Sequence, residues 1–153
     1  AVASPGPGGV KRALLWREAL EARLARPVHF AMVDKRRSLG LVSSGHLVAG
    51  DVEGATVLLL DDLIASGETM LSAATALRHA GAKEVVALAA HGLFVGAAAR
   101  ALVDTHIARV VVTDSVPAFR LPAGGPVAAK LHVVSAAPLF AQAIRDSHTA
   151  WLR

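Results

Sequence analysis

At 153 residues, 54% hydrophobic but only 4% aromatic, the chain fits one domain with a substantial core of Ala, Val and Leu. It has no cysteine, which excludes disulfides and thiolate metal sites and is compatible with a cytoplasmic location; no apolar run approaches the roughly 18 residues of a membrane span, and no signal peptide is visible. The net charge of +4 comes from scattered bases, apart from Lys11-Arg12 and Lys35-Arg36-Arg37, and no aromatics interleave with them to stack bases, so small phosphate anions account for the clusters better than nucleic acid does.

The first residues, Ala1 to Pro5, read as the end of a strand, and Gly8-Gly9 lead into a helix over 10–25 with Val10, Leu14, Leu20 and Leu24 along one side. A start that completes a strand and turns at once into a helix is expected of one half of a longer, two-domain polypeptide. Val28 to Val33 is a strand ending at Asp34. Residues 35–55 lack a clean period and hold four glycines, which predicts a long loop with room for a short hairpin around Gly45. Beyond residue 56 the predicted elements are a strand at Val57 to Leu60, a helix at Met70 to Ala80 closed by Gly81, and a strand at Glu84 to Ala90. His91 to Phe94 is expected as a turn, followed by a short helix over 97–103 and a strand at Arg109 to Thr113. An irregular loop over 114–130 with three prolines precedes a strand at Leu131 to Ser135 and a helix from Pro138 to about His148. Strands separated by helices predict an α/β fold, a mainly parallel sheet with helices on both faces.

Val57-Leu58-Leu59-Leu60-Asp61-Asp62-Leu63-Ile64-Ala65-Ser66-Gly67-Glu68-Thr69 is the segment with the most chemistry in it. A continuous apolar run suits a strand buried on both faces, and ligands of parallel sheets gather at the carboxyl ends of such strands. Asp61 and Asp62 stand at that end, and Ala65, Ser66, Gly67, Glu68 and Thr69 bring backbone N–H groups and two hydroxyls to a helix start. Carboxylates accept from sugar hydroxyls while a helix N-terminus attracts phosphate, so the pattern suits a sugar phosphate. The plainer alternative is a buried strand followed by a solvated acidic turn.

This segment resembles the phosphoribosyl-pyrophosphate (PRPP) binding motif of the phosphoribosyltransferase fold. Ser4-Pro5-Gly6-Pro7-Gly8-Gly9-Val10-Lys11-Arg12 is similar to the Ser-Pro-Asp-x-Gly-Gly-x-x-Arg segment of ribose-phosphate pyrophosphokinases. Asp34-Lys35-Arg36-Arg37 resembles their catalytic-loop motif, and Val48 to Gly54 their turn before the motif strand. Family-like segments also occur at His91 to Phe94, Val111 to Pro117 and Ala141 to Arg145. Together they span nearly the whole chain in the family's order, so the resemblance is to the second half of that family.

The resemblance implies transfer of the β,γ-diphosphate of ATP to the 1-hydroxyl of ribose 5-phosphate, with Mg²⁺ accompanying ATP, in a homo-oligomer. Asp61 and Asp62 would hold the ribose hydroxyls, residues 65–69 the 5-phosphate, and Lys35 and Arg37 the charge on the transferring group. Two departures stand out: Gly6 occupies the place of the family's magnesium-ligating Asp, so no metal ligand is assigned, and Glu68 replaces a glycine of the phosphate loop. A negative side chain there must point away from a phosphate. The departures leave open a non-catalytic relative that binds the same phosphates, and a salvage phosphoribosyltransferase shares the motif. None of the seven histidines shows metal-ligand spacing.

Overall fold

The run Val57 to Leu60 becomes the centre of a seven-stranded sheet in the computed structural model of the chain, which describes residues 1–35 and 46–151. In chain order the elements are β1 (Val2–Ser4), a 3₁₀ turn (Pro7–Gly9), α1 (Val10–Leu24), β2 (Phe30–Lys35), β3 (His46–Ala49) and β4 (Thr56–Ile64). There follow α2 (Glu68–His79), β5 (Glu84–Gly92), α3 (Ala98–Leu102), β6 (Arg109–Thr113), β7 (Leu131–Val134) and α4 (Ala137–Trp151). The strand order is β3-β2-β1-β4-β5-β6-β7, and every neighbouring pair is parallel except β2 and β3.

From β1 the chain winds outward through α1 to β2, whereas from β4 it winds the other way through α2 to β5. Right-handed crossovers in opposite directions place α1 on one face and α2 with α3 on the other. Between β1 and β4 lies the point where the winding reverses, which is where open α/β sheets form their ligand crevice. The α2 side carries the core: Val57 and Leu59 of β4 and Val85 and Ala87 of β5 pack with Met70, Leu77 and Leu102, all essentially inaccessible. At about 25 cal/mol per Å² of apolar area, burying each such leucine or valine side chain contributes roughly 1.5–3 kcal/mol.

The loop over 114–130 takes the place of a crossover helix. It is irregular, as its prolines and glycines predict, yet it delivers Val127 into the core at 3% exposure. Helices cover the two faces unequally. Among the described residues nothing beyond α1 covers the opposite face, and Trp16, Leu60, Leu88, Val111 and Val134 line a groove of about 440 Å³ there. The described side chains of α4 are exposed along the helix, with Leu139, Phe140 and Ile144 among them.

Several boundaries depart from the sequence reading. Residues 46–49, expected as loop, form β3, because pairing against β2 (Val33 with Val48, Asp34 with Leu47) supplies order that no local pattern announces. The hairpin expected around Gly45 falls at the edge of residues outside the described ones. Leu24, expected on the packed side of α1, is 44% exposed. His91 and Gly92 continue β5 rather than turning, since Leu63 and Ile64 of a longer β4 pair with them. The turn itself comes at Phe94, a buried residue at φ +50° whose ring lies where a side chain on Gly92 would stand.

Candidate functional site

The acidic pair does not end its strand: β4 runs two residues past Asp62. What ends is its neighbour. Pairing with β1 stops at Ala3–Leu59, while pairing with β5 continues to Ile64–Gly92. Asp61 and Asp62 therefore occupy a stretch of β4 with one free edge, facing the turn over Pro5 to Gly9 and the first turns of α1.

Into that space α1 sends Arg12. Its Nη1 donates to Asp61 Oδ1 at 3.1 Å and its Nη2 to Asp62 Oδ2 at 2.9 Å, so one guanidinium spans both carboxylates. Each carboxylate also accepts locally: Asp62 N–H donates to Asp61 Oδ1 at 2.9 Å and Leu63 N–H to Asp62 Oδ1 at 2.8 Å. The two side chains differ in exposure, 24% for Asp61 and 56% for Asp62. Loss of hydration therefore dominates at Asp61, and the neighbouring Asp62 charge adds to it; together they outweigh the Asp62 N–H bond and Arg12 and raise its pKa above the usual carboxylate range. At Asp62 dehydration again pushes upward most strongly, but the Leu63 N–H, Arg12 and the Asp61 side chain jointly override it and hold the pKa low.

Ala65, Ser66 and Gly67 form the loop from β4 into α2. Gly67 caps the helix at φ +78° and ψ −9°, a left-handed conformation that favours glycine. A Cβ on it would also come within 3.2 Å of Ala101 and Leu102. Among the described residues no side chain caps α2 at Gly67, so the N–H groups of its first turn point toward a ligand position. Val95 N–H donates to Ala65 O, and Leu93 and Phe94 N–H donate to Ile64 O, bracing the loop from β5's side.

Two adjoining cavities meet over these residues. One, of about 140 Å³, is lined by Asp61 to Gly67, Thr69 and Met70. The other, of about 340 Å³, is lined by Pro5, Gly6, Gly8, Gly9, Arg12, Asp61, Asp62 and Thr69. Shared walls at Asp61, Asp62 and Thr69 make them one cleft. It brings together Asp61, Asp62, Ala65, Ser66, Gly67 and Thr69 from the sequence reading. Glu68 is exposed and lines neither cavity, the outward disposition that a phosphate loop requires of it. Lys35 closes β2 by its backbone; its side chain and Arg37 lie outside the described residues.

Arg12 is the residue whose part the sequence left unread. It stood in a family-like segment, but a contact reaching 49 residues along the chain has no local signature. Ser4, fully buried, donates its hydroxyl to Gly6 O at 2.5 Å and so shapes the same turn.

Among the described residues no group of three or more His, Asp or Glu side chains converges to hold a metal ion. The residues present do not fit a protein-held magnesium: at position 6 there is no carboxylate, and Arg12 already engages the two that remain. No helix among the described residues is long and apolar enough to cross a membrane.

A family model described as phosphoribosyl synthetase-associated domain matches residues 41–150. A ribose-phosphate pyrophosphokinase of Caldanaerobacter subterraneus subsp. tengcongensis is 41% identical over 147 residues, covering 96% of this chain and 43% of the relative. One from Chromobacterium violaceum is 38% identical over 144 residues, covering 94% and 41%. The crystal structure of phosphoribosylpyrophosphate synthetase from Mycobacterium smegmatis superimposes with a TM-score of 0.77 at 33% identity, over 97% of this chain and 45% of that one. This chain thus spans less than half the length of the relatives it matches. By the family match and the shared fold, it belongs to the phosphoribosyl synthetase-associated domain family, within the ribose-phosphate pyrophosphokinase group.

Proposed function

We propose that the chain is the ribose 5-phosphate and PRPP-binding half of a two-domain ribose-phosphate pyrophosphokinase. The observation that carries this reading is the single cleft at the winding reversal of the sheet, with an acid pair at one end and an uncapped helix start at the other. In this reading Asp61 and Asp62 accept hydrogen bonds from the ribose hydroxyls. The N–H groups of residues 65–69 and the Ser66 and Thr69 hydroxyls hold the 5-phosphate, at roughly 1.5–3 kcal/mol for each bond to a charged partner. Lys35 and Arg37 stabilise charge on the diphosphoryl group as it passes from ATP to the 1-hydroxyl, leaving AMP. Such a transfer is chiefly positioning and electrostatics.

Calorimetric titration with ribose 5-phosphate tests the site. Ser66→Asp and Gly67→Asp set a negative charge against the phosphate and are expected to weaken binding by at least about tenfold, or 1.4 kcal/mol. Saturable binding untouched by either substitution would place the ligand elsewhere.

A second reading is favoured by one observation, the glycine at position 6 opposite the acid pair. In it the protein binds the same phosphates without catalysing transfer and joins or regulates an oligomer of active subunits. AMP release from ATP and ribose 5-phosphate by the full-length protein separates the two readings.

A further inference from the structure

We propose that Arg12 serves as the cation of the Asp61–Asp62 pair, so that the cleft takes up its sugar phosphate without a divalent metal ion. The inference rests on the reading of the cleft as a ribose 5-phosphate site and concerns how that site balances its charge.

Three observations carry it. First, the guanidinium engages one oxygen of each carboxylate, at 3.1 and 2.9 Å, in the forked geometry that makes arginine a directional partner for paired oxygens. A dication seated on those oxygens would face the fixed positive charge at close range. Second, the backbone at position 6 borders the same cavity but brings no donor side chain. Magnesium asks for a near-octahedral oxygen set, drawn from one or two carboxylates with water and phosphate. Among the described residues, the two carboxylates lining the cavity, Asp61 and Asp62, are already engaged by Arg12. Third, the missing carboxylate is not forced by crowding. Gly6 has extended backbone at φ −178°, and a Cβ placed on it meets nothing within 4 Å. An aspartate would fit there, so the cleft could regain an oxygen ligand without rebuilding the turn.

The arrangement also suits an uncharged sugar hydroxyl. Arg12 occupies only one oxygen direction on each acid, and Asp62 is more than half exposed, so lone pairs remain for a ligand. Arg12 keeps the two acids compatible side by side while their remaining lone pairs, those of Asp61 Oδ2 among them, accept.

Two measurements on the same chain test this. Manganese titration followed by electron paramagnetic resonance reads the metal directly, and calorimetry of ribose 5-phosphate in chelator or in magnesium reads its effect on the ligand. For the unmodified chain we expect no manganese site at micromolar affinity and a ribose 5-phosphate affinity that changes less than about twofold with magnesium. For the Gly6→Asp, Arg12→Gln double variant, shown to be folded by circular dichroism, we expect one manganese site and an affinity that rises at least about fivefold with magnesium. A micromolar manganese site in the unmodified chain that is lost in Asp61→Asn would overturn the proposal. So would a folded double variant that gains no metal site. Should ribose 5-phosphate bind under neither condition, the reading of the cleft fails, while the manganese titrations still decide the role of Arg12.

Discussion

Burial and hydrogen bonding pull the two adjacent carboxyls of the cleft in opposite directions, and their stability effects follow. Asp61 is raised by dehydration, so above its folded pKa its charge costs stability, and that cost disappears as pH falls through this value. Asp62 is held low against its own dehydration, so it contributes stability above the unfolded value of about 3.9, lost as pH falls through its folded pKa. Asp61→Asn is therefore expected to leave the melting temperature at pH 7 unchanged or raise it, whereas Asp62→Asn lowers it. Thermal melts at pH 7 and at about pH 3.5 check this: the two effects shrink together at the lower pH, and equal destabilisation by both at pH 7 would contradict it. A second residue-scale prediction concerns Gly67. Gly67→Ala forces a Cβ into a left-handed conformation and against Ala101 and Leu102, and is expected to cost about 1–2 kcal/mol. Gly6→Ala, in extended backbone and open space, is expected to leave the melting temperature unchanged. The acid pair and the loop glycine could be read from sequence because their meaning is local. The partnership of Arg12 with both acids could not, because the sheet alone brings residues 12 and 61 together.

Among the elements, α1, α2, β5 and β6 lie close to where the sequence puts them, departing by no more than two residues at either end. The misses are elements that exist through their neighbours. β3 is four residues of weak pattern ordered by β2, and the last residues of β4 and β5 hold one another in register after β1 has ended. The junction of β7 and α4, which the sequence places to within a residue, is also held by a tie from elsewhere in the sheet. Asp114, at the end of β6, accepts from Ala136 N–H at 2.8 Å and from the Ser135 hydroxyl at 2.7 Å, tying down the turn that starts α4. The Ala136 N–H bond first, then Ser135, holds the Asp114 pKa low, so the tie is complete above about 3.9 and fails as pH drops through the folded value. Asp114→Ala is expected to speed amide exchange at Ala136 and along the first turn of α4 while leaving the β4–β5 amides as protected as before. Unchanged exchange at Ala136 would show that the turn stands without the carboxylate.

At the scale of the whole molecule, fold class was legible because alternating strand and helix patterns point to a mainly parallel sheet with crossover helices. The unequal cover of the sheet was not, since no local pattern says which face a helix leaves bare. Function at this scale depends on parts that must act together. Diphosphoryl transfer aligns an acceptor hydroxyl, a phosphorus and its charge-balancing groups, and misplacement by about 1 Å costs on the order of a hundredfold. In the proposed reading Asp61, Asp62 and residues 65–69 give a place for the acceptor. Arg12 pairs with both acids there, and more than half the length of the pyrophosphokinase relatives has no counterpart in these 153 residues. We therefore expect the 153-residue chain alone to bind ribose 5-phosphate but to make no PRPP at an appreciable rate. The assay is ribose-dependent AMP release from ATP with magnesium, run on this chain, on its Gly6→Asp variant and on the full-length protein. Activity in the full-length protein with silence in the chain is the expected pattern. Robust AMP formation by the chain alone would refute the view that it supplies only the acceptor half. If the full-length protein is silent as well and Gly6→Asp restores nothing, the phosphate-binding, non-catalytic reading takes precedence, because the cleft would then hold its ligand with no chemistry to perform on it.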